Sequence, residues 1–345
     1  MASLTTKKNE EFTEADMKAS LRSEAQAMNN MEGKDDKGDV RVSTYASALE
    51  TFQNMIPKDG GEGGRYNYQS MHLGKGVCTG KTPEDVHRAF LLWCQKPEDR
   101  EADSFNVSKA FRRLSSFAEY QLRMFDKYFS EPVDIHSEEI RTVATYMDIK
   151  IPSDIHAETG SVKWIMDLDT WDLEAFKDPE KSGMSHKGIM QWFWSLMLTS
   201  MFDDATCIHG VIIVEAFGNM GISGMMSLQS AFKPIEADIN EMFYGITPFK
   251  MKACVLVGCP WWLSALIGFM RLFISRKMSQ RIKNFSLVSM QEYMGGIENL
   301  PEGCLGGTGP YEERYPGVTA GGSDDSVKVA KEEEEEEEEE ETLTF

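Results

Sequence analysis

Lys250, Lys252, Arg271, Arg276, Lys277, Arg281 and Lys283 are seven bases in a window, residues 242–291, that holds no aspartate or glutamate. Over the whole chain acids dominate: 56 against 36 bases in 345 residues, for a net charge of −20. Bases gathered in a region swept clean of acids are suited to an anionic partner. An uncharged apolar run, residues 253–270, lies among them, so the partner they suit is a lipid surface. Lys277 and Arg281 fall at i, i+4, on one face of a helix that turns Met278, Ile282 and Phe285 inward. A solvated helix end whose bases favour the dipole would account for two or three such charges, not for seven. Lys250 and Lys252, two apart, share one side of a strand.

Other residues invite chemistry and fail to support it. Residues 74–82 contain Gly-Lys-Thr at Gly80, Lys81 and Thr82, but the first glycine of a phosphate loop falls on Lys75, and no apolar strand precedes it. A loop leading into a capped helix is the better reading. His186 and His209, with Asp203 and Asp204 near the second, have no partner ligand at i, i+3 or i+4, and Cys254 and Cys259 lack zinc-knuckle spacing. There is no Gly-x-Ser-x-Gly elbow and no Gly-x-Gly-x-x-Gly, so no nucleophile or acid–base pair is defined and no cofactor is expected. The six cysteines sit mostly among apolar neighbours and read as buried thiols. The acidic balance, half of it from ten consecutive glutamates at 332–341, argues against nucleic acid. The first thirty residues lack the apolar core of a signal peptide, which points to a cytoplasmic protein.

The elements that must position the bases can be read from periodicity. Residues 1–75 are expected to form a mostly disordered arm, with a weak helix over 45–55. Residues 76–132 form a small helical subdomain. Thr82-Pro83-Glu84-Asp85 is a helix start, with threonine as N-cap and proline at the first position. Ala110, Phe111, Leu114, Phe117, Leu122 and Phe125 place a second helix over 107–129. Over 133–310 the pattern becomes alternating strand and helix: strands at 161–168, 207–217 and 252–258, helices at 186–202, 225–243 and from Trp261. Pro260 divides the run 253–270, which argues against a membrane span. Strand, long helix, strand implies parallel pairing, hence an α/β core. Residues 311–345 read as a linker and an extended acidic tail.

The elements of the α/β part are rich in methionine (Met190, Met197, Met201, Met225, Met226, Met242, Met270) and in tryptophan (Trp164, Trp192, Trp194, Trp261, Trp262). Thioether chains adapt to irregular apolar shapes, so this interior suits a cavity holding a lipid tail; an ordinary methionine-rich core has the same composition.

Taken together the chain resembles the CRAL-TRIO lipid-binding family over about 82–308, and its α-tocopherol-transfer and retinaldehyde-binding branch more than its phosphatidylinositol-transfer branch. The resemblance rests on Phe105-Asn106-Val107-Ser108-Lys109-Ala110, on Gly160-Ser161-Val162-Lys163-Trp164-Ile165 with Asp169-Thr170-Trp171-Asp172, and on Gly210-Val211-Ile212-Ile213-Val214-Glu215. It rests too on Thr247-Pro248-Phe249-Lys250-Met251-Lys252 leading to Cys259-Pro260, on Leu272-Phe273-Ile274 with Arg276-Lys277, and on Leu300-Pro301-Glu302 with Gly306-Gly307-Thr308. Gln95-Lys96-Pro97-Glu98-Asp99-Arg100 departs from the family's arginine-rich run, and Phe249 stands where phosphatidylinositol binders carry a glutamate. The resemblance implies a mixed, largely parallel sheet whose helices enclose an apolar cavity. It also implies a non-enzymatic carrier of a hydrophobic lipid, peripheral to phosphoinositide-bearing membranes. Strand and helix phase, together with the resemblance, give Trp164, Met166, Phe193, Met197, Ile239, Met242, Phe243, Cys254 and Leu256 as cavity residues. Trp261, Trp262, Phe269 and Phe273 fall on a gate helix, and Lys250, Lys252, Lys277 and Arg281 on a phosphoinositide-docking face. The alternative is a membrane-recruited adaptor whose acidic tail binds a protein partner.

Overall fold

The computed structural model describes residues 39–218, 220–260, 276–315 and 318. Chain order begins with the helical part. β1 (Arg41–Ser43) leads into α1 (Tyr45–Met55), and three short 3-10 turns precede α2 (Pro83–Cys94). β2 (Ser104–Asn106) pairs antiparallel with β1 and runs into the long α3 (Val107–Tyr128). The helix starts follow from local chemistry. Thr82 and Asp85 form a reciprocal capping box with Pro83 behind them, and the Asn106 side chain accepts from Lys109 N at 2.9 Å.

Residues 39–75 differ from the expected disorder. Ala48, Phe52, Tyr66, Tyr68 and Met71 are all buried in the main core. Phe52 and Tyr66 both lie on the Phe111 ring of α3, at centroid distances of 6.2 and 6.0 Å. Averaged composition undervalues such a segment. Its few apolar side chains are placed where α2 and α3 can cover them, Tyr68 against His87 of α2, and burial of a large ring contributes about 1.5–3 kcal/mol.

α4 (Glu138–Tyr146) then leads to β3 (Val162–Asp167), α5 (His186–Met201), α6 (Asp204–His209) and β4 (Val211–Ala216). α7 (Ile222–Phe232), α8 (Glu236–Glu241) and a π-helix (Met242–Ile246) precede β5 (Met251–Val257). α9 (Arg276–Arg281), β6 (Ile282–Phe285) and α10 (Leu287–Tyr293) complete the domain. β3, β4, β5 and β6 form one sheet in that order, every pair parallel. The expected α/β architecture is therefore present.

Three element boundaries need correction. The helix expected over 225–243 is two, because Pro234 has no N–H to donate and parts α7 from α8. The strand expected over 207–217 starts only at Val211, since Asp203 caps α6 through Ala205 N at 3.1 Å. The basic helix ends at Arg281. Ile282 and Phe285, expected on its inner face, lie on strand β6, which pairs Val255 with Lys283.

Each sheet face is largely apolar, with the buried Lys163 on one and Glu215 on the other. Ile165, Ile212, Val214, Ala253, Val255 and Val257 pack against Met290, Met294, Leu300 and Cys304. The other face joins the core that contains α3 and α5. Beyond the sheet, the chain expected to become a free linker at 311 is still bound. Ser153 N donates to Glu312 O and Arg314 N to Ile151 O, each at 2.8 Å, and Tyr315 and Val318 are buried. Among the described residues no helix is long and apolar enough to cross a membrane.

Candidate functional site

Parallel register decides what lies side by side on the inner face of the sheet. Trp164, Ile213 and Cys254 occupy one rung, and Met166, Glu215 and Leu256 the next. Phe193 and Met197 on α5, with Ile239, Met242 and Phe243 on α8 and the π-helix, belong to the same apolar cluster. All nine expected cavity residues thus share one core. Trp164, Met197, Met242, Cys254 and Leu256 are buried, while Met166, Phe193, Ile239 and Phe243 keep part of their surface accessible.

Aromatic edges tie the two sides together. The Phe243 ring meets Trp164 at 6.4 Å and Phe193 at 5.2 Å, both edge-to-face. Two rings absent from the expected set complete the group: Phe249 at 5.2 Å from Trp164, and Phe232 at 6.1 Å from Phe193. Phe249 directly follows Pro248, and Phe232 ends α7. Phe249 lies before the expected strand 252–258, whereas Phe232 lies within the expected helix 225–243, in helical phase with Ile239 and Phe243, and that phase could have found it.

Glu215 is the other residue that phase alone passed over. It is the one acid in the apolar run of β4, which is the signal that could have found it. Although part of its surface remains accessible, burial pushes its carboxyl from 4.5 up to about 7, with the Cys254 thiol donating to it at 3.9 Å as a weaker, opposing influence. The Trp164 indole N–H has no hydrogen-bond partner among the described residues. An otherwise apolar face therefore carries a near-neutral carboxyl and an unspent donor.

A pH prediction follows for Glu215. Its folded pKa lies above the ordinary value, so its stabilising contribution is complete below about pH 4.5 and is lost as pH rises through about 7. Glu215→Gln should therefore gain stability relative to wild type between about pH 5 and 8, by at most roughly 3 kcal/mol. Paired thermal melts across that range measure it. A difference that stays flat with pH would show the carboxyl to be well solvated.

The expected docking bases are placed unequally. Lys250 does not face outward. Its amine donates to Gln95 O at 3.2 Å and Ile208 O at 3.5 Å, across the seam between the helical part and the α/β domain. Burial, with Arg100 and Lys109 adding repulsion, lowers its pKa from 10.5 to about 8. Lys252 is exposed, for a reason visible in the ladder. Val211 pairs with Met251 and Ile212 with Ala253, so Lys252 is the extra residue of a bulge, aimed away from both faces. Gly210 faces this turn with φ +83°, and a Cβ there would meet Lys250 O at 2.4 Å, so only glycine fits. Lys277 and Arg281 lie on α9. The gate positions Trp261, Trp262, Phe269 and Phe273 lie outside the described residues.

The motifs set aside in the sequence take structural roles. Residues 76–78 form a 3-10 turn, and Thr82 caps α2. Asp203 engages Arg314, not a histidine. The cysteines are free, and all but Cys259 are buried; burial raises the Cys94 thiol to about 11. Among the described residues no group of three or more metal-ligating side chains is close enough to hold an ion. A recess of about 390 Å³ lies where Arg314 and Tyr315 cross Thr199, Phe202 and Lys81, and it shares no residue with the apolar face.

The inner face of the parallel sheet is thus walled by aromatic side chains from α5, α7 and the π-helix. Residues 158–306, less than half of the chain, match the model of the CRAL/TRIO domain family. The match is to the domain family as a whole and does not separate its branches. Among solved structures the chain is similar to the crystal structure of Sfh5, at 10% identity and a TM-score of 0.40, over 74% of this chain and 89% of that one. No curated protein sequence matches the chain.

Proposed function

We propose that this protein is a non-enzymatic lipid carrier that docks on phosphoinositide-bearing membranes, as a cytoplasmic and peripheral protein. The observation that carries the reading is the inner face of the sheet. Trp164, Met166, Ile213, Cys254 and Leu256 stand in register opposite Phe193, Met197, Ile239, Met242 and Phe243, inside a domain that matches the CRAL/TRIO family. Apart from Glu215, such a surface offers a hydrocarbon chain dispersion contacts with apolar side chains alone. The Trp164 N–H and the Glu215 carboxyl suit a ligand that also carries an oxygen. Docking is assigned to Lys252, Lys277 and Arg281, with Lys250 behind them holding the seam. Residues 261–275 supply the gate in this reading.

Native mass spectrometry of the protein purified from cells tests the carrier. A non-covalent adduct with the mass of a lipophilic molecule, lost on organic extraction, is the expected result. A protein that emerges ligand-free and takes up no lipid from vesicles would refute it.

A further inference from the structure

The wall that carries Ile239, Met242 and Phe243 has little to hold it up by itself. α8 is six residues long, and the turn after it is a π-helix. So short a helix is unstable alone, and π-turns mark places where helices are reshaped for function. The Thr247 hydroxyl donates to the Met242 carbonyl at 2.7 Å, closing the irregular turn. Inward, Phe243 meets the rings of Trp164 and Phe193.

Outward, α8 presents Asp238 and Glu241, and α3 takes both. Lys127 Nζ donates to Asp238 Oδ2 at 2.5 Å, and the Tyr128 hydroxyl donates to the same oxygen at 3.1 Å. The Tyr120 hydroxyl donates to the Asp238 backbone carbonyl at 3.2 Å, and Arg123 pairs with Glu241. Residues 120, 123, 127 and 128 share one face of α3 at helical spacing. The helical part therefore grips this wall from outside while cargo contacts would grip it from inside. The two cations remain about half exposed, at 53% for Arg123 and 52% for Lys127, so salt can compete for them.

We propose that α8 and its π-turn form a movable wall of the cavity, latched from outside by Arg123 and Lys127, so that the N-terminal helical part sets how fast cargo passes. This rests on the carrier reading above. The latch is distinct from the gate that the carrier reading assigns to residues 261–275.

The test compares wild type with Arg123→Gln/Lys127→Gln, using amide hydrogen exchange and the release of an NBD-labelled fatty acid to acceptor vesicles. Exchange over 236–246 should rise in the variant while β4 amides stay protected. Release should quicken roughly three- to tenfold, because half-exposed pairs contribute modestly. Higher ionic strength should quicken release from wild type and have less effect on the variant. A swapped pair, Lys127→Asp with Asp238→Lys, should restore slow exchange. Unchanged exchange over 236–246, or release that is unaltered while exchange rises, overturns the proposal. If wild type retains no probe, the carrier reading falls, and exchange at 236–246 still decides whether the latch exists.

Discussion

Replacing Lys252, Lys277 and Arg281 by glutamate is expected to abolish flotation of this protein with phosphoinositide-containing liposomes. Each base near an anionic surface contributes about 1 kcal/mol. Three together thus correspond to roughly a hundredfold in affinity, at about 1.4 kcal/mol per tenfold. Reversing the charges adds repulsion to that loss. The window's other bases outside the seam, Arg271, Arg276 and Lys283, work against a chain whose net charge, −20, is repelled by the same surface. Lys252 should dominate among single changes, since the β5 bulge fixes it outward. Lys250→Met should leave liposome binding nearly intact and instead loosen the seam at Gln95 and Ile208. Flotation at two salt concentrations measures both effects. Binding that survives the triple reversal would remove this face from the docking reading.

The strands of the core were legible because a parallel strand buried on both faces is an apolar run, as at Val211–Ala216 and Met251–Val257. α2 was legible from its cap alone, since Thr82, Pro83 and Asp85 each favour that one backbone state. β6 was not, because its four residues alternate weakly at the sheet edge and satisfy helical spacing equally well. Lys250 was misplaced for a related reason. Strict alternation carried it outward with Lys252, but the bulge lies between it and the regular ladder. Seven of the nine cavity positions lie on regular strand or α-helix phase. Met242 and Phe243 sit on the π-helix, where they keep the i+3 and i+4 relation to Ile239 on which they were read; Met242 is buried in the cluster and Phe243 meets the Trp164 ring. Glu215 shows the remaining limit: sequence gives its type and neighbours, but burial decides its charge.

Removing the Asp203 carboxylate is expected to be the most destabilising single change among the polar side chains described here. Arg314 donates to it through Nε at 2.7 Å and Nη2 at 3.0 Å, the Tyr315 hydroxyl at 2.9 Å and the Thr206 hydroxyl at 3.0 Å. These hydrogen bonds outweigh desolvation and hold its pKa below the usual value. Asp203→Ala leaves the Arg314 guanidinium, 19% exposed, without its partner and strips the cap from α6. Loss of one member of a buried pair costs about 3–5 kcal/mol. The cost corresponds to a fall in Tm of roughly 10 °C for a domain of this size. The effect should reach the apolar face, because Arg314 also donates to Ser153 O at 2.7 Å and Lys150 bridges to Ile165 of β3. Amides of residues 150–153 should lose protection before those of β4. Adding Arg314→Met to Asp203→Ala should recover part of the loss by removing the stranded charge. Since the folded pKa of Asp203 is depressed, its stabilisation persists above the unfolded value and disappears only as pH falls through the lower one. A Tm within about 2 °C of wild type would mean that Tyr315 and Val318 hold the segment 312–315 in place by burial alone.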